Sequence, residues 1–163
     1  AERIRAAAHD ALTDLRDVLG VLRGSDGDVP HVPQPAYADL ADLVEDARAA
    51  GMRVEVVDHL VEGARERVPT GVGRTAYRIV QEGLTNARKH APDAEVRIEV
   101  DGAPGAGLTL VLRNGLGFGR TATPGAGLGL VGLAERLHLA GGTLRHEAER
   151  GEFVLRAWIP WVT

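Results

Sequence analysis

Residues 77–91 read YRIVQEGLTNARKHA, and this stretch decides how the rest of the chain is interpreted. Apolar residues recur through it at helical spacing, in a pattern that begins at Thr70 and is stopped by Pro92. The sequence therefore predicts a long helix over residues 70–91. A polar stripe repeats along the same helix at positions i, i+4, i+7 and i+8, and its members are Glu82, Asn86, Lys89 and His90. We expect the apolar stripe to pack on a core and the polar stripe to face away from it.

The polar stripe has the residue types that bind a metal ion together with phosphate. The Glu82 carboxylate can bind or orient water on Mg²⁺, the Asn86 amide oxygen is a hard ligand of the kind that Mg²⁺ takes, and the Lys89 ammonium can neutralise phosphate oxygens. Lys89 is also the only lysine in the chain. A solvated helix face with ion pairs at helical spacing would contain the same residue types. The helix alone leaves both interpretations open.

A glycine-rich segment follows downstream, reading NGLGFGRTATPGAGLG over residues 114–129, and it leads into a predicted helix over residues 128–140. Backbone amides without side chains at a helix N-terminus form an anion site, because unpaired N–H groups and the helix dipole point at the same place. The segment therefore suits a polyphosphate. Flexible surface loops have a similar composition, and the spacing matches neither the dinucleotide-binding fingerprint nor the P-loop.

The remaining patterns predict a sheet with short connections. A further helix is expected over residues 37–50, ended by Gly51. Strands are expected over residues 52–57, 94–100, 108–112, 143–146 and 152–159. Two of the links between strands are too short for a parallel crossover, so those pairs must be antiparallel. We therefore expect an α+β fold, a two-layer α/β sandwich in which helices cover one face of a mixed sheet.

The N-terminal residues are predicted to form a separate part of the chain. Residues 1–23 have apolar side chains alternately three and four positions apart, a heptad-like seam typical of a helix that packs along another helix. Residues 24–36 are rich in Gly, Asp and Pro without periodicity, and we expect them to be a linker. Residues 37–163 would then form the folded domain.

Composition excludes several classes of protein and of site. The 163 residues include 19 basic and 23 acidic ones, for a net charge of −4, whereas a general nucleic-acid binder usually has a basic excess. The absence of cysteine excludes disulfides, thiolate zinc sites and a thiol nucleophile. No apolar run approaches the roughly 18 residues of a membrane span. We therefore expect a cytoplasmic fragment that is not membrane-embedded and does not bind nucleic acid. It would be cut from a parent protein that could itself be membrane-anchored.

Taken together, these motifs resemble a two-component sensor histidine kinase of the NarL/DesK-type subfamily. The similarity covers nearly the whole chain, is weakest over residues 24–35, and rests on the strings LRDVLGVLR (residues 15–23), YRIVQEGLTNARKHA (77–91), LVLRNGLGFG (110–119), GAGLGLVGLAERL (125–137) and GEFVLRAWIP (151–160). It implies that residues 37–163 have the Bergerat fold, the ATP-binding fold shared by gyrase, Hsp90, histidine kinases and MutL. Residues 1–23 would be the second helix of the dimerisation and phosphotransfer bundle.

The resemblance also implies roles for individual residues. The polar stripe matches the family's N-box, in which Asn86 would be the Mg²⁺ ligand and Glu82 would act near the γ-phosphate. Residues 115–124 would be the ATP lid. The residues expected to bind the nucleotide are Asn86, Lys89, His90, Asn114, Gly117, Gly125, Gly127, Leu128 and Gly129.

The activity implied by the resemblance is that of a protein histidine kinase. It would transfer the γ-phosphoryl group of Mg·ATP to a histidine of the dimer bundle, and from there to an aspartate of a response regulator. His9 superficially matches the phospho-accepting position, but its helix runs into the linker as the second bundle helix does in this family. The acceptor is therefore expected upstream of this chain, and this chain alone is expected to bind nucleotide without autophosphorylating. The expected partners are ATP, a response regulator, the dimerisation bundle and a second protomer.

Two departures from the family pattern leave other functions open. Asn114 stands where the family usually has an Asp that accepts a hydrogen bond from the adenine amino group. Phe153 and Val154 stand near where related kinases often place a Thr that helps to bind adenine through water. A degenerate nucleotide-binding scaffold that serves as an interaction module is therefore one alternative, and a serine kinase of the same fold is another. His31, His59, His138 and His146 lack metal-ligand spacing, and we expect them to be surface or packing residues.

Overall fold

The computed structural model describes residues 35–116 and 128–162. In chain order the elements are a 3₁₀ helix at Tyr37–Asp39, α1 (Leu40–Ala49), β1 (Arg53–Asp58), a second 3₁₀ helix at Arg65–Arg67, α2 (Thr70–His90), β2 (Glu95–Ala103), β3 (Gly107–Gly115), α3 (Leu128–Leu139), β4 (Thr143–Glu149) and β5 (Glu152–Ile159). None of the helices in these two ranges combines the length and the apolar character that a membrane crossing requires. The bundle helix, His9 and the linker up to residue 34 lie outside the described residues and stay predictions.

The five strands form one mixed sheet in the order β1-β2-β3-β5-β4. β1 and β2 run parallel, and α2 supplies the crossover between them. β3 pairs with β2 and with β5 in antiparallel fashion, and β4 pairs antiparallel with β5. The mixed sheet and the antiparallel pairs are confirmed.

The two faces of the sheet differ in polarity, as expected when helices cover one of them. On the covered face, alternate residues of the central strands are buried: Val96, Ile98, Val100, Leu108, Leu110 and Leu112. On the opposite face, Arg97 forms ion pairs with Glu55 and Glu99, and Arg156 pairs with Glu147 and Glu149. The predicted α+β sandwich with helices on one face is therefore confirmed.

The first helix ends where the sequence predicts. Gly51 has a φ of +92°, a conformation in which a side chain would be strained. Its amide donates to the Arg48 carbonyl at 2.9 Å, and the Met52 amide donates to Ala47 at 3.1 Å, so the last carbonyls of the helix are paired. The predicted helix over residues 37–50 differs only at its start, where a 3₁₀ turn precedes α1.

β3 is longer than the sequence pattern predicted, continuing beyond Leu112 through Gly115. The prediction ended early because the dipeptide Asn114–Gly115 is a turn signal. In the folded chain Asn114 instead pairs with Val96 on one side and with Phe153 on the other. Pairing on both sides overrides the local preference and fixes Asn114 inside the central strand.

α2 lies very close to the middle of the sheet. A Cβ atom built on Gly83 would come within 2.5 Å of the Leu112 side chain and 3.5 Å of Leu155, so any larger residue would force the buried Leu112 side chain to shift. The C-terminal half of α2 therefore runs over the end of β3 that contains Asn114. Because β2 begins soon after α2 ends, and Val96 of β2 pairs with Asn114, the end of α2 lies at that same edge of the sheet.

Candidate functional site

α2 places Glu82 and Asn86 one turn apart, where their side chains meet. Asn86 Nδ2 donates a hydrogen bond to Glu82 Oε1 at 3.4 Å. Glu82, Asn86 and His90 are half-buried, and Lys89 is exposed. The polar stripe thus borders the buried face of α2. The expectation that it faces away from the core is therefore only partly met. The reason is that a second helix covers the flank of α2 on which Glu82 lies.

That second helix is α3, and the contact is made by Gly129. A Cβ atom built on Gly129 would lie 2.6 Å from the carboxyl carbon of Glu82. The first turn of α3 therefore approaches the Glu82 carboxylate so closely that a side chain at residue 129 would require the carboxylate to move. A helix N-terminus has unpaired N–H groups and the positive end of the helix dipole, so it suits a carboxylate or a phosphate. The polar stripe of α2 and the end of the glycine-rich segment, which are separate in the sequence, are therefore in contact at Glu82 and Gly129.

Asn114 is the only polar residue that is buried in the two described ranges, with 8% of its surface exposed. Its Nδ2 donates to the Gly115 carbonyl at 3.0 Å. Strand alternation puts Asn114 on the same sheet face as Leu112, the residue beneath Gly83 of α2. The contacts therefore connect Asn114, through Leu112 and Gly83, to the neighbourhood of Glu82 and Gly129.

An aromatic pair lies next to Asn114 on the outer strands. Phe153 of β5 is the register partner of Asn114 and is half-buried. Its ring stacks on the His146 ring of β4, with 5.7 Å between the centroids and 30° between the planes. His146, which we expect to be a surface or packing residue, is exposed and packs in this way. Phe153 gives the region an aromatic wall.

The predicted site residues are only partly covered by the structure. Gly117, Gly125 and Gly127 lie outside the described residues. Leu128 is the first residue of α3, and its side chain is not described. The structure brings Glu82, Asn86 and Gly129 together and places Asn114 at the same end of the sheet.

The protein groups at this end of the sheet are too few to hold Mg²⁺ alone, but they suit a Mg²⁺ ion that is also bound by a ligand. Asn86 uses its amide nitrogen toward Glu82, which leaves the amide oxygen as a hard donor for another partner. Across residues 35–116 and 128–162, no three or more of His, Asp and Glu cluster as a metal site would require. Mg²⁺ is commonly held by one or two protein groups together with phosphate oxygens and water. The residues present match that arrangement.

A second group of polar residues was not found from the sequence. The Tyr37 hydroxyl donates to Asp58 Oδ2 at 3.3 Å, and Arg65 Nε pairs with the same oxygen at 2.9 Å. Burial raises the pKa of Tyr37 well above its ordinary value, and the adjacent Asp58 carboxylate raises it further. These residues line an open cavity of about 580 Å³ beside α1 and β1. No motif signals the group, because its members are spread along the sequence without common spacing.

Known proteins resemble this chain in sequence and in fold. No protein-family model matches it. The signal transduction histidine-protein kinase/phosphatase DegS of Brevibacillus brevis is 35% identical over 88 residues, which cover 54% of this chain and 23% of DegS. The oxygen sensor histidine kinase NreB of Staphylococcus carnosus is 33% identical over 101 residues, 60% of this chain and 29% of NreB. The chain therefore spans about a quarter of the length of these curated relatives.

A solved structure gives the same result for the fold. The histidine kinase domain of the blue-light activated histidine kinase EL346 from Erythrobacter litoralis superposes with a TM-score of 0.56 at 17% identity. The match covers 82% of this chain and 65% of that domain. At this identity the likeness shows the fold alone. The chain is therefore similar in sequence to the histidine kinases DegS and NreB, and its described residues have the α+β fold of histidine kinase catalytic domains.

Proposed function

We propose that this chain is the catalytic ATP-binding part of a sensor histidine kinase and that it holds Mg·ATP between α2, α3 and the Asn114 end of the sheet. The observation that carries the proposal is the meeting of Glu82 and Asn86 with Gly129 at the start of α3. A carboxylate, an amide and a helix N-terminus at one place are the groups that a metal-bound polyphosphate requires. They come from two motifs that lie far apart in the sequence.

Each residue has a distinct role in this proposal. The Asn86 amide oxygen would ligate Mg²⁺, Lys89 and His90 would contact phosphate oxygens, and Asn114 would contact the base. The glycine segment that contains Gly117, Gly125, Gly127, Leu128 and Gly129 would surround the phosphates with backbone amides. When bound, Mg²⁺ neutralises charge on the phosphates. Catalysis of phosphoryl transfer is mainly positioning and charge stabilisation, and Glu82 would orient groups near the transferred phosphate.

The proposal extends to the parent protein. Residues 1–23 would end its dimerisation bundle, residues 24–36 would be the linker, and residues 37–163 the ATP-binding domain. The phosphoryl group would pass to a histidine upstream of this chain in a dimer, and then to an aspartate of a response regulator. The histidine kinases DegS and NreB support this assignment by similarity. The domain would work in the cytoplasm, where ATP is available.

Calorimetric titration tests the proposal. The chain is titrated with a non-hydrolysable ATP analogue with and without Mg²⁺, and the measurement is repeated on Asn86→Ala. We expect Mg²⁺ to strengthen binding to the unsubstituted chain and to have no such effect on Asn86→Ala. The matched control is Gln81→Ala, since Gln81 is exposed on the same helix outside the polar stripe. Mg²⁺-dependent binding that survives in Asn86→Ala would refute the role of Asn86. The absence of any binding at millimolar nucleotide would leave the interaction module as the better account of the fold.

A further inference from the structure

One row of residues crosses the covered face of the sheet at the level of Asn114. Read from β1 to β4 through their register partners, its members are Val54, Val96, Asn114, Phe153 and Ala148. Four of the five side chains are apolar and offer no hydrogen-bonding group to distinguish one base from another. Within the described residues, Asn114 is the one member of this row that can read the polar edge of a base.

The Asn114 carboxamide offers both kinds of hydrogen bond. Its Nδ2 donates one N–H to the Gly115 carbonyl at 3.0 Å. An amide nitrogen carries two hydrogens and an amide oxygen has two lone pairs. After the bond to Gly115, the side chain still has an N–H to donate and an oxygen that can accept.

Adenine and guanine differ most at the substituent on C6 of the purine. Adenine has an amino group there, which donates, and guanine has a carbonyl, which accepts. A carboxylate only accepts, so opposite this position it attracts the amino group and repels the carbonyl. A carboxamide can pair with either. A neutral amide also carries no charge that would disfavour a carbonyl oxygen.

We propose that the nucleobase pocket of this chain accepts guanine as well as adenine, because Asn114 satisfies the C6 group of either purine. The inference rests on the proposed nucleotide site and names its substrate class more closely: purine nucleoside triphosphates, and not ATP alone. The aromatic wall agrees with it. Phe153 stands beside Asn114 in register and is stacked on His146, and an aromatic ring contacts the π-face of any base with little preference.

The experiment compares two nucleotides on one protein. The full 163-residue chain is titrated calorimetrically with the β,γ-imido analogues of ATP and of GTP, both with Mg²⁺. For the unsubstituted chain we expect the two dissociation constants to agree within about tenfold, since neither base leaves a polar group of the pocket unpaired. In Asn114→Asp we expect the preference for ATP to increase by about tenfold or more, because the carboxylate leaves the guanine carbonyl facing an acceptor.

Two further variants guard against misreading. In Asn114→Leu the side chain has a similar volume and no hydrogen-bonding group, so the affinities for both nucleotides should fall by a similar factor. This variant serves as the second test if the buried charge of Asn114→Asp prevents folding. Arg113→Gln is the matched control, because Arg113 is the preceding residue of β3 on the opposite sheet face. It should leave both dissociation constants unchanged. Thermal unfolding of each variant shows whether it is folded at the temperature of titration.

Each outcome is decisive. The proposal is supported if the unsubstituted chain binds the ATP and GTP analogues with similar affinity and Asn114→Asp comes to prefer the ATP analogue. It is also supported if Asn114→Leu lowers both affinities by a similar factor. An unsubstituted chain that binds the ATP analogue more than about tenfold more tightly than the GTP analogue overturns it while leaving the proposed function intact. A preference that is the same in Asn114→Asp and in the unsubstituted chain overturns the role of Asn114. A chain that binds neither nucleotide overturns this inference and the proposed function together.

Discussion

Gly129 of α3 lies directly against the carboxylate of Glu82 on α2. The contact favours glycine at this point of a helix, where alanine would otherwise be the better residue, because the Glu82 carboxylate would have to move to admit a side chain. It also joins the only two helices that contribute predicted site residues in the described part of the chain. Any side chain at residue 129 must displace either the carboxylate or the start of α3.

Gly129→Ala should therefore weaken the binding of Mg·nucleotide. The added methyl group would overlap the Glu82 carboxylate, so the polar stripe and the helix N-terminus could no longer approach one another. The carboxylate ends a flexible, half-buried side chain that would turn away from the methyl group, so we expect an affinity loss of about tenfold, or ~1.4 kcal/mol. Calorimetric titration with a non-hydrolysable ATP analogue measures it.

The control for this variant is Gly132→Ala in the same helix. The nearest atom to a Cβ at residue 132 is the end of the Arg136 side chain at 3.8 Å, an ordinary contact. Replacing this helical glycine by alanine should leave the affinity for nucleotide unchanged and raise the free energy of unfolding by up to about 1 kcal/mol. Equal effects of the two substitutions on nucleotide binding would contradict the importance of the Gly129 contact.

Gly83→Ala should destabilise the fold. A Cβ there would come within 2.5 Å of Leu112, which is buried and has little room to move. We expect the free energy of unfolding to fall by about 1–3 kcal/mol, the usual cost of overpacking a core. Gly71→Ala, with no atom within 4 Å of the added Cβ, is the matched control in the same helix. Denaturant unfolding of both variants measures the difference, and a Gly83→Ala variant as stable as Gly71→Ala would refute the close packing of α2 on β3.

Phe153→Leu should weaken the binding of ATP and GTP analogues by the same factor. Leucine retains the apolar wall beside Asn114 but removes the ring that stacks on His146. Stacking of a base on an aromatic ring contributes about 1–3 kcal/mol and depends little on the base. Titration with both analogues tests this. A loss confined to one nucleotide would show that Phe153, and not Asn114, sets the base preference.

Tyr37 should make stability fall at high pH. Burial and Asp58 raise its pKa in the folded state, so the unfolded chain loses the phenolic proton first as pH rises above about 10. Stabilisation is complete below that pH and decreases above it. The free energy of unfolding is measured with denaturant at pH 8 and at pH 10.5. Between these pH values it should decrease less in Tyr37→Phe than in the unsubstituted chain, because the contribution of Tyr37 is missing. Tyr77→Phe removes the other of the two tyrosines and should retain it; a Tyr37→Phe variant with the full decrease would contradict the assignment.

Local periodicity was sufficient to predict the three α-helices and five strands of the described residues and the mixed sheet, but not the 3₁₀ helix at Arg65–Arg67. It could not predict features that depend on pairing between distant residues. β3 extends through Gly115 because both neighbouring strands bind its backbone, which outweighs the turn preference of Asn114. The polar stripe of α2 borders the core because Gly129 brings α3 against Glu82, and a helical wheel contains no information about that neighbour. The Tyr37, Asp58 and Arg65 group has no sequence signal at all.

The extra length of β3 separates two tasks that a nucleotide site must perform. Asn114, which we propose contacts the base, stands on a central strand whose backbone is bound on both sides, whereas the residues proposed to bind metal and phosphate are on helices. Residue 114 can therefore change without moving Glu82, Asn86 or Gly129. Homologues that differ at this single codon could exchange nucleotide preference in evolution while keeping the same catalytic machinery, and an inhibitor aimed at the base subsite could be made selective among them.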